Sequence, residues 1–279
     1  MKRVVRVAKN LVLPLDCVTE TFGIVAVKGV GKTTTAAVMA EQMLKVGAQV
    51  VILDPTGAWW GLRSSADGRH DGLPVVIFGG DHADVPLDPS SGKLVADLIV
   101  DKRISVVIDL SSLRKADQNR FVTTFAEQLY HRNRKAMHLI VDEADAYIPQ
   151  RPQHGEERML GAFEDIVRRG RIKGIGITMI TQRSAVINKN VLSQISTLIV
   201  MRTFAPQDRK AVEFWIEVHG DEAGRKQVME SLASLKIGEA WFWSPGWMNG
   251  LLKRVQVNQR ETFNSSATPK MGVRVREPK

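Results

Sequence analysis

The stretch Ala26-Val27-Lys28-Gly29-Val30-Gly31-Lys32-Thr33-Thr34 decides the fold. It follows an apolar run, Phe22 to Val27, and opens a helical pattern running from Thr33 to Val46. Strand, glycine-rich turn, Lys-Thr and helix are the parts of a phosphate-binding loop. In such a loop backbone N–H groups and a helix N-terminus converge, and a phosphate supplies the acceptors they lack. Lys32 is placed to reach the β- and γ-phosphates of ATP, and the Thr33 hydroxyl to ligate Mg2+. Lys28, Gly29, Val30, Gly31, Lys32, Thr33 and Thr34 are therefore the candidate ATP-binding residues. The strict pattern begins with glycine; here that position is Ala26, small enough for the tight turn.

Outward from this loop, short β-branched apolar runs recur at Gly23–Val27, Val50–Leu53, Val75–Phe78, Ser105–Ile108, Leu139–Val141, Ile175–Ile180 and Thr197–Met201. They are nearly continuous rather than alternating, as strands buried on both faces are. Helical patterns lie between them, at Thr34–Val46, Ala116–Asn133 and Glu156–Arg169. This alternation predicts an α/β fold, with a mostly parallel sheet covered by helices on both faces. Glu239–Trp243 and Lys253–Val257 read as a C-terminal β-hairpin around Ser244-Pro245-Gly246, with Trp241, Trp243 and Trp247 as core or interface residues. The segment Asp54–His70, with adjacent Trp59 and Trp60, reads as a loop or short helical excursion with packed aromatics. The expected domain spans residues 1–260, and residues 261–279 read as a basic, extended tail.

A second signal is Leu139-Ile140-Val141-Asp142-Glu143, an apolar strand ending in two carboxylates. Adjacent acids at a strand end repel, and a metal relieves that repulsion. Asp142 is the candidate for the Mg2+ shell and Glu143 for polarising an attacking water. Asp109 also ends an apolar run, but no acid follows it, so that run reads as an additional strand. A third signal is the strand ending in Thr181-Gln182-Arg183. Its amide could donate to a γ-phosphate oxygen and accept from water. Just before that strand, Arg168-Arg169-Gly170-Arg171-Ile172-Lys173 holds four cations. They suit an arginine finger on a neighbouring subunit's ATP, a DNA backbone contact, or a helix end whose dipole they offset.

The chain has 279 residues, 44% of them hydrophobic and 25% charged, which suits one large globular domain. Its net charge of +9 favours a polyanionic partner such as DNA. The single cysteine, Cys17, excludes an internal disulfide framework and a thiolate zinc cluster, and fits a cytoplasmic location as a packed residue. No run approaches the ~18 apolar residues of a membrane span, so no membrane association is expected. The six histidines show no metal-ligand spacing, and most of them read as surface or loop residues.

Four stretches in this order resemble the HerA/FtsK superfamily of ring-forming DNA motors. They are Lys28-Gly29-Val30-Gly31-Lys32-Thr33, Val141-Asp142-Glu143-Ala144, Arg171-Ile172-Lys173-Gly174-Ile175-Gly176 and Thr181-Gln182-Arg183. The resemblance spans about Val12 to Val257 and is to the HerA-like ATPase core; the loop Asp54-Pro55-Thr56-Gly57-Ala58-Trp59-Trp60 is also similar to that group. It implies a P-loop NTPase of the additional-strand, RecA-like type, in which the Gln182 strand lies between the phosphate-loop strand and the Glu143 strand. It also implies that Lys32, Glu143, Arg171 and Gln182 are catalytic, with Arg171 acting across a subunit boundary, and that Thr33 and Asp142 serve the metal. ATP and Mg2+ are the implied cofactors, and a homo-oligomeric ring, a hexamer, the implied assembly, with DNA as cargo. Only about twenty residues precede the loop, too few for the β-barrel of HerA proteins, so a bare motor core is expected. Three readings of its work follow: a DNA translocase or helicase, a phage or plasmid DNA packaging or transfer motor, and an ATP-switched regulatory subunit partnered by a nuclease-type effector.

Overall fold

The computed structural model describes residues 3–266, 271 and 278. A small antiparallel hairpin, β1 (Val5–Ala8) and β2 (Leu11–Leu13), comes first. Strand β3 (Thr21–Val25) feeds the phosphate loop and helix α1 (Lys32–Lys45). Next come β4 (Gln49–Asp54), β5 (Val76–Phe78), α2 (Gly92–Lys102), β6 (Val106–Asp109) and α3 (Lys115–Arg132). They are followed by β7 (Met137–Val141), α4 (Glu157–Arg169), β8 (Ile175–Thr181), the short α5 (Lys189–Leu192) and β9 (Thr197–Val200). Helices α6 (Pro206–His219) and α7 (Glu222–Ser231) precede the hairpin β10 (Glu239–Ser244) and β11 (Leu251–Gln256). Local chemistry marks several ends. Pro206 opens α6, where its missing N–H costs nothing, and the Asp221 side chain caps α7 by accepting from the Gly224 N–H at 2.8 Å.

The main sheet has nine strands in the order β11-β10-β9-β3-β8-β7-β4-β6-β5. The strands from β9 to β5 are mutually parallel, and β10 runs against both its neighbours. Strand β8 lies between β3 and β7, as the resemblance implies. The C-terminal hairpin is present too, although its turn is longer than Ser244-Pro245-Gly246 because β11 starts at Leu251.

Alternating residues of the central strands feed two cores. Val51, Leu53, Ile108, Leu139 and Val141 pack towards α2, α3 and α4. Val50, Ile52, Val107 and Ile140 pack towards α1 and the N-terminal hairpin. Burial on both faces is why these strands read as continuous apolar runs.

Two details differ from the expectations. His138 is not a surface histidine: it is fully buried in β7, with ring contacts to the Val18 carbonyl (3.0 Å) and the Thr178 hydroxyl (2.7 Å) that replace the water it loses. Residues 261–266, expected as tail, are packed: Thr262 is buried, and its N–H donates to Glu41 of α1 at 3.0 Å. Residues 267–270, 272–277 and 279, where the rest of that tail was expected, lie outside the described residues. Trp59 and Trp60 are packed as expected, Trp59 almost completely buried and Trp60 stacked on His82 with ring centroids 3.9 Å apart.

Candidate functional site

In a parallel sheet the loops at the carboxyl ends of neighbouring strands meet. That edge carries the phosphate loop after β3, Gln182 after β8, Asp142 and Glu143 after β7, and Thr56–Ala58 after β4. Together they line a cleft of about 670 Å³ that includes Lys28, Lys32, Thr33 and Thr34.

The phosphate loop has the backbone its sequence predicts. Gly29 and Gly31 have φ of 81° and 106°, and Gly31 is the N-cap of α1. A side chain at either position would be strained, which is why glycine stands there. Ala26 is absent from the described residues with positive φ, so alanine in place of the first motif glycine costs nothing conformationally. Val30 points into the core, and its carbonyl accepts from the Gly238 N–H at 3.1 Å, so it can serve a phosphate only through its backbone. The Lys32 ammonium folds back onto the Val27 carbonyl at 3.2 Å. Burial draws its pKa below the usual lysine range, while the carboxylates of Glu143, Asp142 and Asp145 oppose that shift.

Opposite the loop stands the acidic pair. Asp142 is only 3% exposed. Its Oδ2 accepts from the Trp59 indole N–H at 2.8 Å and its Oδ1 from the Glu143 N–H at 3.0 Å. Burial still pushes its carboxyl above the ordinary aspartate value, against those two hydrogen bonds and the charge of Lys32. Glu143 is shifted the same way, by burial first and by Asp142 second. Its backbone is left-handed, with φ of 46°, an arrangement costing about 1 kcal/mol for a residue with a side chain. The turn at Glu143 brings its carboxylate to Gln182, whose Nε2 donates to both oxygens at 3.3 Å. Next door, the Thr181 hydroxyl donates to Asp145 at 2.8 Å.

No group of three or more His, Cys, Asp or Glu side chains among the described residues is arranged to hold a metal ion. Such a site still suits Mg2+, which takes one or two protein ligands and completes its shell with phosphates and water. The Thr33 hydroxyl and Asp142 face the same cleft and are the donors present for it.

Arg171 is not in this cleft. It lies just before β8, at the opposite end of that strand from Gln182, about 20 Å away along the seven residues of β8. It is exposed, and its guanidinium pairs with the buried Glu20 at 3.1 Å. Arg168 and Arg169 share that end of the sheet. None of the three can reach the cleft of its own subunit.

Several contributors were not among the candidate site residues read from the sequence. Trp59 braces Asp142. Asp54 in turn holds the Trp59 N–H at 2.9 Å, and burial beside Asp142 and Asp109 raises the Asp54 carboxyl to about 7. Ile237 and the segment Asn264–Ser266 also line the cleft. The motif Asp54-Pro55-Thr56-Gly57 was a visible signal for the first two residues; nothing local marked the last segment.

Comparison with known proteins identifies the family. Residues 7–76 match the family described as Helicase HerA, central domain, and residues 131–244 match Helicase HerA-like C-terminal. The DNA double-strand break repair helicase HerA of Pyrococcus furiosus is 28% identical over 165 residues, covering 56% of this chain and 28% of that protein. The chain thus spans about a quarter of that relative's length. Among solved structures, the genome packaging NTPase B204 of Sulfolobus turreted icosahedral virus 2, in complex with AMP, superposes with a TM-score of 0.56 at 16% identity. It covers 85% of this chain and 97% of its own. The bacterial conjugative coupling protein TrwB gives 0.64 at 12% identity, covering 94% and 90%. At such identities these two likenesses speak for the fold.

Proposed function

The chain belongs with the HerA-like P-loop ATPases, and from that premise we propose that it hydrolyses ATP with Mg2+ in this cleft and uses the cycle to move DNA through a homo-oligomeric ring. The observation that carries the chemistry is the Gln182–Glu143 contact at 3.3 Å, in the cleft that Lys32 also lines. ATP would lay its β- and γ-phosphates on the N–H groups from Gly29 to Thr34, with Lys32 leaving the Val27 carbonyl to meet them. Thr33 would ligate Mg2+ directly. Asp142, whose two oxygens already accept protein hydrogen bonds, would act through the ion's water shell. The ion's charge would offset the repulsion between Asp142 and Glu143.

Glu143 would then take a proton from the attacking water. Burial and Asp142 make its carboxylate more basic than an exposed one, which suits a general base. Gln182 would hold Glu143 in place and bridge it to the γ-phosphate. Arg171 sits too far from its own cleft, so its catalytic role requires a neighbouring subunit; a closed ring of six would supply one at every site. Cargo grip through phosphates fits the net charge of +9. Among the described residues no helix is long and apolar enough to cross a membrane. A cytoplasmic location is the reading that the single cysteine, Cys17, buried as a free thiol, supports.

The test is the ATPase rate with and without duplex or single-stranded DNA across a salt series. Stimulation that fades with salt is expected. Hydrolysis indifferent to every DNA would favour the ATP-switched regulatory subunit instead.

A further inference from the structure

We propose that the segment Phe263–Ser266 forms the outer wall of the nucleotide site, and that Asn264 and Ser266 hydrogen-bond the nucleoside part of the bound nucleotide. The inference rests on the reading of the cleft as an ATP site and adds a specificity element to it.

After β11 the chain does not leave the body. Glu41 of α1 is only 1% exposed, and its carboxylate would be costly there without donors. The donors come from the two residues just before the segment: the N–H groups of Glu261 and Thr262, both at 3.0 Å, and the Thr262 hydroxyl. Phe263 then packs on Trp60, ring centroids 5.4 Å apart. The Gly61 N–H donates to the Ser265 hydroxyl at 3.1 Å, and that hydroxyl donates to the Ala58 carbonyl at 2.7 Å. A Cβ on Gly61 would stand 2.2 Å from the Phe263 carbonyl oxygen, so glycine there is what admits so close an approach. The strap is therefore tied to α1 at one end and to the loop after β4 at the other.

Between those ties it borders the cleft. Asn264, Ser265 and Ser266 line it together with the phosphate loop. Asn264 Oδ1 accepts from the Ser266 N–H (3.3 Å) and hydroxyl (2.8 Å), which sets the amide so that Nδ2 is its outward donor. These side chains are polar and uncharged. The neighbouring cation, Arg260, donates to Asn264 Oδ1 at 3.4 Å and does not line the cleft; amide and hydroxyl groups match the hydroxyls of a ribose and the ring nitrogens of a base. The cations Lys28 and Lys32 belong to the loop on the cleft floor, so phosphates and nucleoside have separate partners.

The experiment compares binding of Mg-ATP and of Mg-tripolyphosphate, by calorimetry, to the wild-type chain and to the double variant N264A/S266A. Both substituted side chains are exposed, and the anchors Thr262 and Ser265 are kept. A thermal melt matching wild type establishes that the strap stays in place. The expected result is about a tenfold loss of ATP affinity with tripolyphosphate affinity unchanged. Unchanged ATP affinity, or an equal loss for both ligands, overturns the proposal. A wild-type chain that binds neither ligand overturns the ATP reading of the cleft itself, a result the two-ligand design separates from failure of the strap.

Discussion

The Trp59 indole N–H donates to Asp142 Oδ2 at 2.8 Å, so the acid that follows β7 is held by a side chain from the loop after β4. Both residues are almost completely buried. A hydrogen bond to a buried carboxylate contributes about 1.5–3 kcal/mol. Trp59→Phe keeps most of the packing and removes the donor. We expect urea unfolding to report a loss of about that size. The Mg2+ concentration for half-maximal ATPase should rise several-fold, because Asp142 is no longer aimed. Unchanged Mg2+ dependence would reduce Trp59 to a packing residue.

Two substitutions separate binding from hydrolysis. Lys32→Ala removes the ammonium that we propose meets the β- and γ-phosphates, and nucleotide affinity should fall with hydrolysis. Glu143→Gln keeps shape and the approach of Gln182 but cannot take a proton. It should bind ATP like wild type and hydrolyse it at least ~10²-fold more slowly. Filter binding and phosphate release on the same preparations would distinguish these outcomes.

Arg171 offers a test of subunit cooperation. Its ion pair with Glu20 places it at the edge of β8 opposite the cleft. Arg171→Ala should lower hydrolysis by about 10³-fold in the assembled protein and leave the rate of dissociated subunits alone. Arg171→Lys keeps the charge beside Glu20 and controls for lost stability. An assembled rate untouched by Arg171→Ala would transfer the finger to Arg168 or Arg169.

His138 sets a pH limit on stability. Burial lowers its pKa to about 4, although the hydrogen bond to the Val18 carbonyl pulls the other way. The unfolded chain binds this proton near pH 6.5 and the folded chain does not, so stability rises with pH across that interval. The contribution is present above about pH 6.5 and is lost as pH falls towards 4, on the order of 3 kcal/mol in all. A carbon-13 histidine titration should find one imidazole neutral down to about pH 4. Six histidines all titrating near 6.5 would contradict the burial.

Much of this architecture was legible because its signals are local. The phosphate loop, the Asp142-Glu143 strand end and Gln182 each stand within a few residues of a strand, and the parallel sheet aligns strand ends without further information. The placement of Gln182 beside Glu143 followed from the strand order that the family resemblance implies, not from local signals. What escaped depends on contacts distant in sequence. Trp59 and Asp142 are 83 positions apart, and Thr262 and Glu41 are 221. Neither pair has a spacing rule. The composition of residues 261–266, polar and short of aliphatics, resembles a tail; their order comes from donors to one buried carboxylate rather than from apolar burial. His138 was obscured for the related reason that its partners, Val18 and Thr178, come from elements on either side of it.

The central claim is that a triphosphate lies along the N–H groups from Gly29 to Thr34 with Asp142 and Glu143 directed at its terminal phosphate. A crystal structure with Mg2+ and a non-hydrolysable ATP analogue tests it most directly. The account predicts β- and γ-phosphates on that loop, Lys32 withdrawn from the Val27 carbonyl, the ion on Thr33, and a water between Glu143 and the γ-phosphate. Nucleotide bound elsewhere, or phosphates in the cleft turned away from Asp142 and Glu143, would contradict it.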